Sequence, residues 1–403
     1  MEIIKTKENK IINTILIVFI ILLFISELIS NRFELNDFKV YYYAMKNFFD
    51  NKPIYGIPFG LGSGFYKYAP IALFPFAIFY FIPYIFASII YYFLIGISTI
   101  VFFNFFPILS KKIFNSNSSN AIFITLIVSF VHLHRELHLG NVNMLLLLLY
   151  TFAFYFNYND KSVLSGILIG IGLLFKLHFI VLIPILFIFK KIKLAFVSIF
   201  TFLASLSLIF IFKGFENGLN LYNDWFNIMK VHNANIFYHP DTAYFYFVKL
   251  LKFINPSIPE IIAMLVVISV IFILFVYFVI KKGNILSEKP DLLVFFLTYF
   301  FAIAMIPSLT LTDTEHFLFC LPVIYIGASF IYNNNASMGY KILFTVGLLL
   351  YGGNWHDLWG HKISIFLASN GFLGVGNIIL ISVSYFFVVK NFEKIKNNTL
   401  FVK

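Results

Sequence analysis

The chain has 403 residues, of which 61% are hydrophobic and only 12% charged, with 56 phenylalanines and 24 tyrosines. Globular chains average about 45–50% apolar and about 25% charged residues, so a water-soluble domain of this length is excluded. A single cysteine, Cys320, excludes an internal disulfide framework.

Lysines precede an apolar stretch at 11–30, as they would in a signal peptide. The stretch is long enough to cross a bilayer and no small-residue cleavage site follows it. A retained first transmembrane helix is therefore predicted. Residues 31–83 form a long outer loop with juxtamembrane helices. Within it, 68–83 contains Pro70 and Pro75 and is read as interfacial, with a true span as the alternative. The remaining transmembrane helices are placed in 84–389, with apolar runs at 84–109, 120–139, 141–158, 194–212, 258–280, 291–308, 316–332, 341–354 and 363–389. The run at 163–189 is interrupted at its centre by Lys176 and His178. A charge at mid-bilayer costs several kcal/mol, so two short helices with an outer turn are predicted there. The sum is about 12 crossings in one membrane-embedded all-α domain, 1–403, with both termini cytoplasmic.

That topology explains the net charge of +11: 17 of the 29 basic residues and six of the 18 acidic ones fall on inner segments. The excess follows the positive-inside rule and is not a nucleic-acid footprint. All nine histidines fall on the outer side or at outer helix ends, as do the partly buried charges Arg135, Glu136 and Lys176. Polar groups within a membrane protein usually face a cavity or pathway, so chemistry is expected at the extracytoplasmic end. Neither a Walker loop nor a GxGxxG after a strand pattern is present, so a group donor must already be in or outside the membrane.

Asp37 opens the first outer loop beside apolar surface, where a carboxylate can take a proton from a sugar hydroxyl. Its spacing alone favours a helix N-cap. Tyr66-Lys67-Tyr68-Ala69-Pro70 follows Gly60, Gly62 and Gly64. Lys67 suits a phosphate, whereas the tyrosines also suit a headgroup-level belt. In the stretch 132–143, three histidines invite a metal reading, but no third ligand is evident beyond His134 and His138. Arg135 matches phosphate oxygens bidentately, unless it pairs with an acid. Gly166 and Gly170 suit helix packing, and Lys176 suits a phosphate. His316 could donate to a phosphate or sugar oxygen at a helix start, where Asp313 fits either a cap or a ligand.

In order, these pieces resemble glycosyltransferase family 87, the polyprenol-phosphate-mannose-dependent mannosyltransferases of the GT-C superfamily. The resemblance covers roughly residues 30–330. It rests on Asp37 with Tyr41–Tyr43 and the glycine-rich loop, Tyr68-Ala69-Pro70, Gly140-Asn141-Val142-Asn143, Gly166 to Lys176, and His316 before a Leu/Pro-rich helix. This chain departs from the family pattern at Ala69, at Asn141 (often Gln) and after Lys176, which loosens the sugar and acceptor more than the fold.

The resemblance implies a GT-C fold and a polyprenyl-phosphate-linked sugar donor, with a glycolipid, glycan or protein acceptor, at the plasma (inner) membrane. It implies Asp37 as catalytic base, with Lys67, Arg135, Lys176 and His316 at the donor phosphate and Tyr68, Asn141 and His178 at the substrate. No cofactor is implied, and a divalent metal is compatible but not demanded. The rival readings are a transporter or flippase of lipid-linked sugars and an O-antigen polymerase or ligase. The first predicts paired broken helices, of which one is visible. The second predicts outer arginines, of which the chain has two, Arg32 and Arg135.

Overall fold

The structure, a computed structural model, describes residues 7–61, 64–114, 118–285, 290–311, 313–332 and 336–397. Gly62, and Glu2, Lys5, Glu288, Lys289 and Lys403, expected on inner segments, lie outside them. No strand occurs among the described residues, only an isolated bridge between Pro58 and Phe65.

In chain order the helices are α1 (Lys7–Ile29), α2 (Asn36–Phe49), a 3-10 helix (Pro70–Phe79), α3 (Tyr84–Phe114), α4 (Ser119–Leu139) and α5 (Asn143–Tyr158). Then come α6 (Ser162–Phe175), a 3-10 turn (Leu177–Val181), α7 (Leu182–Ile188), α8 (Ile192–Lys213) and α9 (Phe215–His232). The remainder is a 3-10 helix (Asn233–Tyr238), α10 (Tyr244–Ile254), α11 (Ile261–Lys282), α12 (Leu292–Leu309), a 3-10 helix (Thr314–Cys320), α13 (Leu321–Ile331), α14 (Met338–Gly352), α15 (His356–Ser369) and α16 (Phe372–Lys396).

Among the described residues, eight helical runs are long and apolar enough to cross a membrane: 10–29, 84–114, 119–139, 192–213, 261–282, 292–309, 314–331 and 372–396. Five shorter apolar helices accompany them. The ten-residue 3-10 helix rises only about 20 Å, less than a hydrocarbon core of about 30 Å. Two interruptions shape the rest. The apolar run 163–189 breaks at Lys176, where φ −136 and ψ 96 leave the helix. The expected run 363–389 is divided at Asn370 and Gly371. Gly371 has φ 65 and sits against the Pro240 carbonyl, which leaves no room for a side chain.

The chain forms two compact units. The first comprises Met1–Asn104, Leu133–Ile183 and Lys191–Ala234. Here α6 packs on α8 through its glycines: a Cβ on Gly166 would lie 2.7 Å from Val197 Cβ, and one on Gly170 2.7 Å from Thr201 Cβ. Close backbone approach is what small residues supply between membrane helices. Lys213 ends α8 by donating to the Phe48 carbonyl and, at 2.7 Å, to Asn51 Oδ1. A cation thus meets the negative end of the α2 dipole.

The second unit comprises Phe105–His132, Pro184–Lys190 and Asn235–Lys403. Its helix α16 receives the turn 239–243: Gly374 N donates to Asp241 Oδ1 at 3.1 Å, and Ala243 N to the Ser308 carbonyl at 2.7 Å. His132 lies between the carbonyls of Thr314 (Nδ1, 2.8 Å) and Tyr351 (Nε2, 3.1 Å). Burial raises the Asp241 carboxyl above its usual range, against the opposing pull of the Gly374 amide and His239.

Two outcomes follow from this packing. Gly170→Leu should cost about 1–3 kcal/mol through overpacking and lower the melting temperature in detergent, whereas an exposed control such as Leu203→Ala should not. Asp241→Asn keeps an acceptor for Gly374 and removes the charge. Because the folded carboxyl titrates above the unfolded one, the parent loses stability relative to this variant as pH rises from about 4. The difference should level off once the folded carboxyl is ionised, and a constant offset across pH would contradict burial as its cause.

Candidate active site

Asp37 lies in the first turn of α2, but it is not the cap. The N-cap is Leu35, held in the left-handed region at φ 44 and almost fully buried. Such a backbone costs an L-residue about 1–2 kcal/mol and persists only where surroundings enforce it. The enforcing neighbour is Gly140, at φ 69. A Cβ there would stand 3.0 Å from Leu35 Cβ and 3.0 Å from Phe38 Cβ, so only glycine allows the two turns to touch.

That contact delivers Asn141 to Asp37. Asn141 Nδ2 donates to Asp37 Oδ2 at 2.5 Å, and Asn141 Oδ1 accepts from the Val142 amide at 2.7 Å. The second bond decides which end of the amide faces the carboxylate. Behind it, the buried Glu136 accepts from Asn143 Nδ2 and from the Met144 amide, both at 2.8 Å. A carboxylate at the N-terminus of α5 complements the helix dipole and fixes the 140–143 turn.

One helical turn after Asp37, Tyr41 presents its hydroxyl 3.2 Å from that of Tyr68. Burial, then Tyr68 and Asp37, push the Tyr41 phenol well above its ordinary range, so it stays protonated and able to donate. Tyr68 belongs to a loop whose backbone is satisfied by side chains. The carbonyls of Lys67, Tyr68 and Ala69 accept in turn from Trp225 Nε1 (3.0 Å), Tyr55 OH (2.6 Å) and Tyr66 OH (2.9 Å). Buried backbone carbonyls outside regular helix need such partners. Ala69 N then donates to the Leu174 carbonyl at 3.3 Å, which ties this loop to the end of α6. Lys176 follows two residues later, 6% exposed, and His178 is half-buried in the 3-10 turn.

The structure thus joins Asp37 to Asn141, Tyr68 to the Asp37 helix through Tyr41, and the Lys67–Tyr68 loop to the segment that carries Lys176 and His178. Arg135 differs from the expectation of partial burial: it is exposed on the last turns of α4. His316 belongs to the second unit. Its Nδ1 accepts from the Asp313 amide at 3.2 Å and lies 3.4 Å from Glu315 Oε1, a helix-starting arrangement. Among the described residues, no group of three or more His, Cys, Asp or Glu side chains is arranged to hold a metal ion.

One polar anchor escapes a reading of the sequence. Glu27, buried near the C-terminal end of α1, pairs with His138 Nδ1 at 2.9 Å. An acid inside an otherwise apolar first span was its signal. Glu136 was expected to be a partly buried charge and is fully buried, but its partners Asn143 and Met144 lie across a turn and were not foreseen.

Fold and site define an all-helical polytopic membrane protein in which a carboxylate, an amide and two phenols converge at helix ends. The family model for glycosyltransferase family 87 matches residues 65–311. The chain belongs to that family and is a membrane glycosyltransferase. The matched stretch contains Lys67, Tyr68, Arg135, Asn141, Lys176 and His178, while Asp37 and His316 lie outside it. No curated protein matches the chain.

Asn141→Ala should release Asp37 from its fixed rotamer. A misplacement on the scale of 1 Å lowers turnover by about 100-fold, so kcat of sugar transfer should fall by that order with little change in KM. Unchanged kcat would remove Asn141 from the machinery.

Proposed function

We propose that the protein is an inverting hexosyltransferase of GT-C architecture that moves a sugar, mannose in our reading, from a polyprenyl-phosphate donor to a glycolipid, glycan or protein acceptor. The observation that supports this most is the Asp37 carboxylate, fixed by Asn141 and next to the protonated Tyr41. In the proposed topology, about 12 crossings place both termini in the cytoplasm. The short 70–79 helix lies in the interface, and the site opens on the extracytoplasmic side of the plasma membrane.

Asp37 accepts the proton of the acceptor hydroxyl as its oxygen attacks the anomeric carbon. The new C–O bond forms on the face opposite the phosphate, and the old C–O bond breaks with its electrons on the departing polyprenyl monophosphate. That leaving group gains negative charge, which preorganised donors in a dry site stabilise by several kcal/mol. Lys176 is the best placed by burial, and Lys67 shares its loop connection. Arg135 and His316 are the further candidates for the phosphate. Tyr68 and His178 would contact the sugar, and Asn141 would act mainly through Asp37. No cofactor enters the scheme, since a monophosphate has no pyrophosphate bridge to neutralise.

Asp37→Asn tests the role of the base. With purified protein, polyprenyl-phosphate mannose and candidate acceptors, transfer should fall by about 10²–10⁴-fold, the usual contribution of a general base. Normal turnover in this variant would sink the assignment. Flux of a lipid-linked sugar across liposomes without any transfer by the parent would favour a flippase.

A further inference from the structure

Helix α9 follows the span α8 after a single residue, Gly214, whose φ of 76 turns the chain sharply. Its eighteen residues would reach about 27 Å, yet it cannot cross a bilayer. At 100° per residue, Glu216, Asn220, Asn223, Asp224, Asn227 and Lys230 share one side, and all are exposed. A crossing would force carboxylates and amides into hydrocarbon.

The rest of the surface is divided. Its inner half packs on α8: a Cβ on Gly218 would lie 2.7 Å from Phe210 Cδ1, and Tyr222 OH donates to the Leu206 carbonyl at 2.5 Å. Its outer half is apolar and uncovered. Phe215 is 70% exposed, Leu219 43% and Phe226 69%, and they align along one edge. The strip continues the exposed apolar end of α8, where Ile211 is 77% and Phe212 53% exposed. A surface continuous with a membrane span, flanked by a polar face, is what an in-plane amphipathic helix presents to lipid.

We propose that α9 is seated in the membrane interface, with the Phe215–Leu219–Phe226 strip in the boundary between headgroups and acyl chains, and that it holds the Lys67–Tyr68 loop from there through Trp225. The strip enters lipid to a depth of about 5–10 Å, and the polar face stays in water. The Trp225 indole N–H, bonded to the Lys67 carbonyl at 3.0 Å, then fixes the loop against a membrane-anchored support. The occupant is lipid, and this inference stands independently of the base assignment.

The test is spin-label depth in the full-length protein, reconstituted in phosphatidylethanolamine/phosphatidylglycerol liposomes. Cysteines are placed at Phe215, Leu219 and Phe226 on the strip and at Asn220 and Asn227 on the polar face. All five sites are exposed, so folding is not at stake, and the buried Cys320 is kept native or replaced by Ala. Strip labels should collide more with oxygen than with a water-soluble nickel chelate, and polar-face labels should show the inverse ratio. Equal water access at all five sites would overturn the seating. So would strip labels shielded from both reagents, which would mean that protein covers them. For the coupling, Trp225→Phe keeps the ring and removes the donor. Amide exchange in 64–69 should accelerate while α9 exchange is unchanged, and unchanged loop exchange would overturn the latch.

Discussion

The hydrogen bond from Asn141 to Asp37 is the interaction on which the site depends. It joins residues 104 positions apart in the chain, and it exists because two left-handed turns, at Leu35 and Gly140, press together. Neither turn would be stable alone. Leu35 carries strain that an exposed loop would relax, and Gly140 buys the space for it by lacking a side chain. Glu136 completes the device from beneath, using its carboxylate to hold the first turn of α5. In the proposed reaction, a base presented in this way needs little reorganisation when a substrate arrives, which is the form of preorganisation that enzymes exploit most.

The surrounding architecture answers the same demand in another form, since burial leaves an unpaired backbone group without water. The chain leaves regular helix at the 66–70 loop and at Lys176, and each departure is compensated. Three successive carbonyls of the loop receive aromatic donors, and the loop amide of Ala69 reaches back to α6. The abundance of tyrosine is thus partly structural. Tyr55 and Tyr66 act as hydrogen-bonding plugs, with phenols raised by burial so that they remain protonated donors. The same loop carries Lys67 and Tyr68, so the residues nearest to substrate in the proposed reaction sit on a segment already locked by its neighbours.

Much of the helical framework was legible in the sequence, because apolar length is a strong signal. The break at Lys176 followed from the cost of burying a charge, and the packing role of Gly166 and Gly170 from their spacing. What escaped was contact across long separations. Nothing local distinguishes Asn141 as the partner of Asp37, and spacing allowed Asp37 to be a cap when the chain uses Leu35 instead. The histidines illustrate the same limit. Their expected placement at outer helix ends pointed to chemistry there. Yet His132 bridges two carbonyls in the second unit, His138 pairs with Glu27, and His316 begins a helix. The split at Gly371 had a local signal, the Asn370-Gly371 turn pair, which the apolar residues on both sides outweighed.

Membership of glycosyltransferase family 87 fixes the class of reaction, and the geometry around Asp37 bears on its mechanism. A carboxylate that deprotonates the acceptor in a single displacement must leave the transferred sugar with the opposite anomeric configuration. The most direct measurement is the anomeric configuration of the first product made by the purified wild-type protein from polyprenyl-phosphate mannose of defined configuration, read by NMR alongside the released lipid. Inversion with one polyprenyl monophosphate per sugar transferred is the predicted result. Retention of configuration, or a trapped sugar–protein bond, would contradict the account.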